Sequence, residues 1–442
     1  MNKQILRAGS NIFPTITEVL ITALLVAAVN LLSWQFQYQI SNNDGKGMDG
    51  VEYYKMAEGI RDGHKPNAKA PFVYRIGTPA LAAAISPENL MEGFRIVNIG
   101  AGSVIPFALL FWISLYYRKT LFRLLPVALF SLTWHSPLRL SWYYPVHTDP
   151  LSILALLILL IMLFYLMKSH NANNTGNKSY TVLTVFSLFT FAAVFIREIC
   201  LVPALLYLIV NLEFQFNKIE YLKSKIKIHS KSAFVPVLAG GAGIIAVHFL
   251  AEQTNSYSFA AAAYSWIYRK SLIMFIHAWL IAFGPILFII IYKYSDAYNY
   301  LKSNSMSAYF LIITAFMGLA GGSDTERIIY WSMPVVYLLM LHIISNHKQL
   351  FSSKIIISII AIAQLVNMRV FWAIPDYPND YESLMPVLTP FGSKFPLMDL
   401  WTWHGDLKVN LISFAEYIIL FIIFAVIMQL SEKKLNKIQN PV

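Results

Sequence analysis

The chain has 442 residues, of which 57% are hydrophobic and 13% charged, with a net charge of +11 and a mean hydropathy of +0.56. Soluble domains carry about 25% charged residues; half that charge cannot cover a water-facing surface, so an ordinary soluble protein is excluded. One cysteine, Cys200, rules out an intramolecular disulfide and any cysteine-rich metal site.

Apolar stretches of spanning character run in chain order over 13–34, 93–116, 122–135, 149–167, 180–196, 199–213, 232–250, 272–292, 306–321, 328–345, 354–371 and 409–430. The first is too long for a signal-peptide core and has no small-residue cleavage site, so it is expected to stay as a membrane helix. The pattern predicts an all-α, polytopic integral membrane protein of about twelve transmembrane helices, with 1–442 forming a single transmembrane domain. Basic residues are retained on the cytoplasmic side of membranes. With the N-terminus in the cytoplasm, alternation places Arg118, Lys119 and Arg123, the 218–231 lysines, and Lys433, Lys434 and Lys437 on that side. Both termini are then cytoplasmic, most acids lie outside, and the positive charge calls for no nucleic acid. Two external segments are too long for turns: 35–92, with weakly amphipathic stretches at 50–61 and 74–86, and 372–408.

Ionisable groups next to hydrocarbon are expensive and are usually paired or functional, and they gather on the external side. In Gly47-Met48-Asp49-Gly50-Val51-Glu52-Tyr53, a helix from Asp49 would put Asp49, Glu52 and Tyr53 on one face. Asp49 reads either as a general base beside a second carboxylate or as a helix N-cap with Glu52 at its third position. In Pro71-Phe72-Val73-Tyr74-Arg75, the arginine among aromatics suits a phosphate clamp or an interfacial snorkel. Arg139, His147 and Asp149 follow in the stretch from His135 to Asp149, where Asp149-Pro150 also marks a helix start. Arg197-Glu198 stands between two apolar runs with no loop, and Asp324, Glu326 and Arg327 form a last charged hairpin. Together these residues describe one external cavity. A divalent metal could be met by Asp49, His147 and Asp149, a set too sparse to establish one.

Asp49-Gly50-x-x-Tyr53-Tyr54-x-x-Ala57, followed by Pro71-Phe72-Val73-Tyr74-Arg75-Ile76-Gly77-Thr78-Pro79, resembles the first external loop of bacterial membrane glycosyltransferases of the GT-C superfamily. Thr148-Asp149-Pro150, Arg197-Glu198 and Asp324-Thr325-Glu326-Arg327 are similar to later motifs of that group. The resemblance implies a GT-C fold with external juxtamembrane helices, a polyprenyl-phosphate sugar donor, and a glycan, lipid or protein acceptor on the periplasmic or extracellular face. It implies that Asp49 is the catalytic base, with Glu52 as helper. It further implies that Tyr74, Arg75, Arg139, His147, Asp149, Arg197, Glu198, Asp324, Glu326 and Arg327 bind donor phosphate or substrate. The spacing departs from the group in one respect, since Glu52 is three residues from Asp49 rather than beside it. A polysaccharide polymerase or ligase using the 372–408 loop, and a flippase of lipid-linked saccharides, are the alternative readings.

Overall fold

The computed structural model describes residues 13–133, 135–171, 177–215, 225–228, 231–322, 324–368, 373–374 and 407–439. They are helical almost throughout, as the all-α reading expects, with two short strand pairs. α1 (Ile16–Phe36) opens on a capping box: Thr15 Oγ1 accepts from the Glu18 N–H at 3.2 Å, and Glu18 Oε2 accepts from the Thr15 N–H at 2.8 Å. Two donors that a helix start leaves open are thereby satisfied. The first loop then forms α2 (Gly50–Arg61) and α3 (Gly77–Ile85), which fall on the two stretches marked as amphipathic. The bundle continues through α4 (Leu90–Ser114), α5 (Thr120–Leu132), α6 (Pro137–Tyr143), α7 (Asp149–Asn171), α8 (Asn177–Ala193), α9 (Val202–Val210) and α10 (Phe234–Leu250).

Arg123 of α5 reaches back to the fully buried Glu18 at 3.0 Å, so neither charge is stranded in the apolar interior. The main core joins Trp112, Leu156, Leu160, Phe283, Met333 and Leu338 from distant parts of the chain. A smaller cluster of Tyr53, Met56, Val73, Phe94, Tyr143 and Val146 fastens α2 and the 72–76 turn onto α4 and the end of α6.

After α10 comes the 251–271 segment, which links two of the predicted spans. Glu252–Gln253 pairs in parallel with Asn67–Ala68 of the first loop, and α11 (Phe259–Arg269) follows from an Ser258 N-cap. The predicted span 272–292 is then not one straight helix. α12 (Leu272–Phe283) and α13 (Ile286–Tyr292) meet at 119°. At the corner Gly284 takes φ +62°, a conformation glycine tolerates, and Pro285 has no N–H to continue the helix. One buried amide takes up both broken ends: Gln364 Nε2 donates to the Phe283 carbonyl at 3.1 Å, and Gln364 Oε1 accepts from the Ile286 N–H at 3.1 Å. Gln364→Leu should therefore lower the unfolding midpoint, at about 1–3 kcal/mol for each group left unsatisfied. An unchanged midpoint in detergent would refute the clamp.

The predicted span 306–321 is likewise half of a bent pair, α14 (Tyr294–Ser303) and α15 (Ser305–Ala320), joined at 110°. The short α16 (Thr325–Tyr330), α17 (Met333–Asn346), α18 (Lys354–Asn367) and α19 (Leu407–Gln439) complete the order. Among the described residues, five helical segments are long and apolar enough to cross a membrane, or up to seven if each bent pair is one span. The stretches expected at 180–196, 199–213, 328–345 and 354–371 fall on helices of 10–17 residues. The charged residues of the 372–408 loop, from Asp376 to Asp406, lie outside the described residues.

Candidate functional site

The segment before α2 is shaped to set Asp49 against the turn between α6 and α7. The Gly50 N–H donates to Tyr144 Oη at 2.7 Å. A side chain at Gly50 would come within 2.6 Å of the Val146 carbonyl, so the close approach requires glycine there. The N-cap reading of Asp49 does not describe the structure. Its backbone is already helical, at φ −67° and ψ −26°, and its carboxyl makes no capping hydrogen bond. The charges that act on it are Asp324, Arg327, Arg75 and Arg197. Burial first, and Asp324 second, hold its pKa above the ordinary 3.8 against the pull of the three arginines.

Glu52 does not join Asp49 in that role. Its Oε2 accepts from the Lys69 N–H at 2.9 Å, and its Oε1 lies 3.7 Å from Lys69 Nζ. At the next residue the phenol of Tyr53 does face the cluster, accepting from Arg75 Nη1 at 2.9 Å. Arg75 forks onto Glu198 as well, through Nη2 at 2.7 Å and Nε at 3.3 Å. Such a planar, charge-assisted fork fixes a guanidinium's direction. Its neighbour Tyr74 points elsewhere, donating to Gln253 Oε1 at 2.6 Å and lying 4.0 Å from the His248 ring.

Asp149, the first residue of α7, sits between two arginines. Arg197 Nη1 donates to its Oδ1, and Arg327 donates to Oδ2 through Nη2 at 2.7 Å and Nε at 3.1 Å. Arg327 Nη1 also meets Asp324 Oδ2 at 2.5 Å. The guanidinium of Arg197 lies 4.2 Å from the Trp331 ring, and its buried Nε has no hydrogen-bond partner. His147 is buried against the Tyr144 ring, with its Nδ1 also unpartnered and 3.9 Å from Asp149 Oδ2. Burial, followed by Arg327 and Arg197, drives its pKa far below the ordinary 6.5, so the imidazole is neutral. The peptide carrying it is pinned by Asn98 Nδ2, which donates to the Pro145 and His147 carbonyls at 2.7 and 2.8 Å.

Two more expected site residues, besides Glu52 and Tyr74, stand apart. Arg139 is a brace: its Nη1 donates to the Leu132 carbonyl at 2.8 Å and to the Met368 carbonyl at 3.2 Å, tying the ends of α5 and α18. Glu326 is buried in α16 and acts on Lys270, a residue that sequence reasoning passed over. Lys270 Nζ donates to the Gly318 and Gly321 carbonyls at 2.7 and 3.2 Å, holding the turn that presents Asp324 and Arg327. Burial pushes its pKa down to about 8, with Glu326 and Asp324 resisting. Tyr144 and Asn98 were also missed; neither carries a charge to draw attention in an apolar sequence.

The site is thus a nest of three arginines in which Asp149, Glu198 and Asp324 each hold a guanidinium. Among the described residues, Asp49 is the carboxyl of the group that no guanidinium hydrogen bonds. Among the described residues, no three of His, Cys, Asp or Glu come together in a group that could hold a metal ion. The set of Asp49, His147 and Asp149 is therefore not assembled as one, and both oxygens of Asp149 are engaged by arginines. Comparison with known protein families, with curated proteins and with solved structures returns no match.

Proposed function

We propose that the protein is an integral membrane glycosyltransferase that moves a sugar from a polyprenyl-phosphate donor to an acceptor hydroxyl on the non-cytoplasmic face. The observation that carries this reading is the placement of Asp49, a carboxyl of raised pKa that no guanidinium among the described residues forks onto, yet facing Arg75, Arg197 and Arg327. The resemblance of the 49–57 and 71–79 motifs to GT-C enzymes supports it, as do the five to seven helices of membrane-crossing length. In this reading the shorter apolar helices complete about twelve membrane passages, both termini are cytoplasmic, and the end bearing Asp49 faces the periplasm or exterior. The acceptor is a glycan, lipid or protein.

The chemistry follows from the groups present. Asp49 takes the proton of the acceptor hydroxyl as its oxygen attacks the anomeric carbon. The bond from that carbon to the phosphate oxygen breaks, and its electron pair leaves with the polyprenyl phosphate. Attack from the side opposite the leaving group inverts the anomeric centre. Negative charge grows on the departing phosphate, and preoriented arginines are the groups that stabilise it. Among the described residues the buried Nε of Arg197 has no hydrogen-bond partner, so that arginine keeps a donor not used by the protein.

The test is release of polyprenyl phosphate from a radiolabelled polyprenyl-phosphate sugar by the reconstituted protein. Arg75→Lys keeps the charge but loses the fork. It should lower kcat/KM for the donor about tenfold to hundredfold, the worth of one hydrogen bond to a charged group. Donors that stay intact in the presence of the native protein, across hexosyl and pentosyl headgroups, would remove the proposal.

A further inference from the structure

A second cleft, of about 480 Å³, opens between the end of α1 and the start of α4. Trp142 lines this cleft, whereas Tyr144, two residues on, receives Gly50 in the first site; the Tyr143 carbonyl between them accepts from the Ile40 N–H at 2.7 Å. The volume lies within the roughly 300–1,000 Å³ of small-molecule sites.

Its chemistry differs from the arginine nest. Glu92 and Arg95, one turn apart on α4, pair at 3.1 Å, and Arg95 Nη2 also donates to Gln39 Oε1 at 2.5 Å. The charges cancel locally, so an anion would gain little unless it displaced Glu92. What remains is a guanidinium paired with a carboxylate beside two indoles. Trp142 is held by its own hydrogen bond to Asn30 Oδ1 at 2.9 Å, while Trp34 is 66% exposed. An indole face suits the C–H face of a pyranose ring, and alternating donors and acceptors suit its hydroxyl rim. The other wall carries the apolar Ile96 and Ile99, and α1 separately exposes Leu31 and Leu32. A ligand that fills both halves has an uncharged polar head and a hydrocarbon tail.

We infer that this cleft binds an uncharged glycolipid, its sugar against Trp34 and Trp142 and its tail along α1 and α4. The inference rests on the membrane location in the proposed function, not on the transfer reaction. It assigns to the protein a lipid-sugar site separate from the one that handles phosphate.

The test uses the full-length protein in phosphatidylcholine nanodiscs doped with equal amounts of monohexosyl diacylglycerol and phosphatidylglycerol, with retained lipids counted by native mass spectrometry. The native protein should retain the hexosyl lipid in preference to phosphatidylglycerol. Trp34→Ala should cut that retention about threefold to tenfold, the worth of one aromatic contact, and Glu92→Gln should also reduce it. Asp49→Asn should leave it unchanged, whatever its effect on transfer. Equal retention of both lipids, or retention indifferent to Trp34 and Glu92, would overturn the inference and leave Trp34 as an interfacial anchor. Loss of retention in Asp49→Asn would merge the two sites and overturn it as well.

Discussion

Asp49→Asn should lower sugar transfer by about 10²–10⁴-fold, the usual contribution of a general base, while the protein accumulates to its normal level. The substitution is nearly isosteric, and the carboxyl caps no helix, so the fold loses no hydrogen bond from that side chain. The pH dependence has a definite sign. A carboxyl whose folded pKa is raised contributes stability that is complete below its unfolded value and is lost as pH rises through its folded value. Ionised Asp49 therefore weakens the fold at neutral pH, and Asp49→Asn should unfold at a slightly higher temperature there. The activity of the native protein should fall on the acid side at a pH above the ordinary 3.8 of an aspartate, because burial and Asp324 favour the protonated form. Full turnover by Asp49→Asn would end its assignment as the base, and a lower melting temperature would show that the carboxyl has a structural partner after all.

The second large effect is on stability. Asp149→Ala leaves Arg197 and Arg327 without the carboxylate they share, with side chains 9% and 10% exposed. Breaking a buried pair from one side costs about 3–5 kcal/mol, because the remaining charge is left uncompensated. Here one carboxylate serves two guanidiniums, so the loss should appear as poor accumulation in membranes or a strongly lowered melting temperature. Asp149→Asn keeps the shape and part of the hydrogen bonding, and should be milder. A native-like melting temperature for Asp149→Ala would mean that Asp324 or water takes over both arginines.

These two aspartates looked alike in the sequence, each just before an apolar or amphipathic helix with a capping explanation at hand. Their different positions come from contacts with residues far along the chain. Asp149 meets Arg197 and Arg327, which stand 48 and 178 positions away. Asp49 meets no such fork. Arg75 and Glu198 form another pair of this kind, 123 positions apart. Arg139 teaches the converse. A buried arginine near histidine and aspartate has the look of a ligand group, yet its Nη1 goes to the carbonyls of two helix ends. The bends at Gly284 and Asn304 were hidden because hydropathy averages over a window and does not register a change of direction.

What the sequence determines by itself is whatever follows from local composition. Too little charge to face water, apolar runs that must close their own backbone hydrogen bonds as helices, amphipathic stretches at 50–61 and 74–86, and charged motifs at segment ends are all properties of neighbouring residues. What only the tertiary structure decides is which of those charges share a counterion. A guanidinium buried among helices takes whichever carboxylate or carbonyl the packing brings within about 3 Å, and that choice leaves no local trace. It is this choice that engages Asp149, Glu198 and Asp324, turns Arg139 and Glu52 away, and leaves the Asp49 carboxyl without a guanidinium of its own among the described residues.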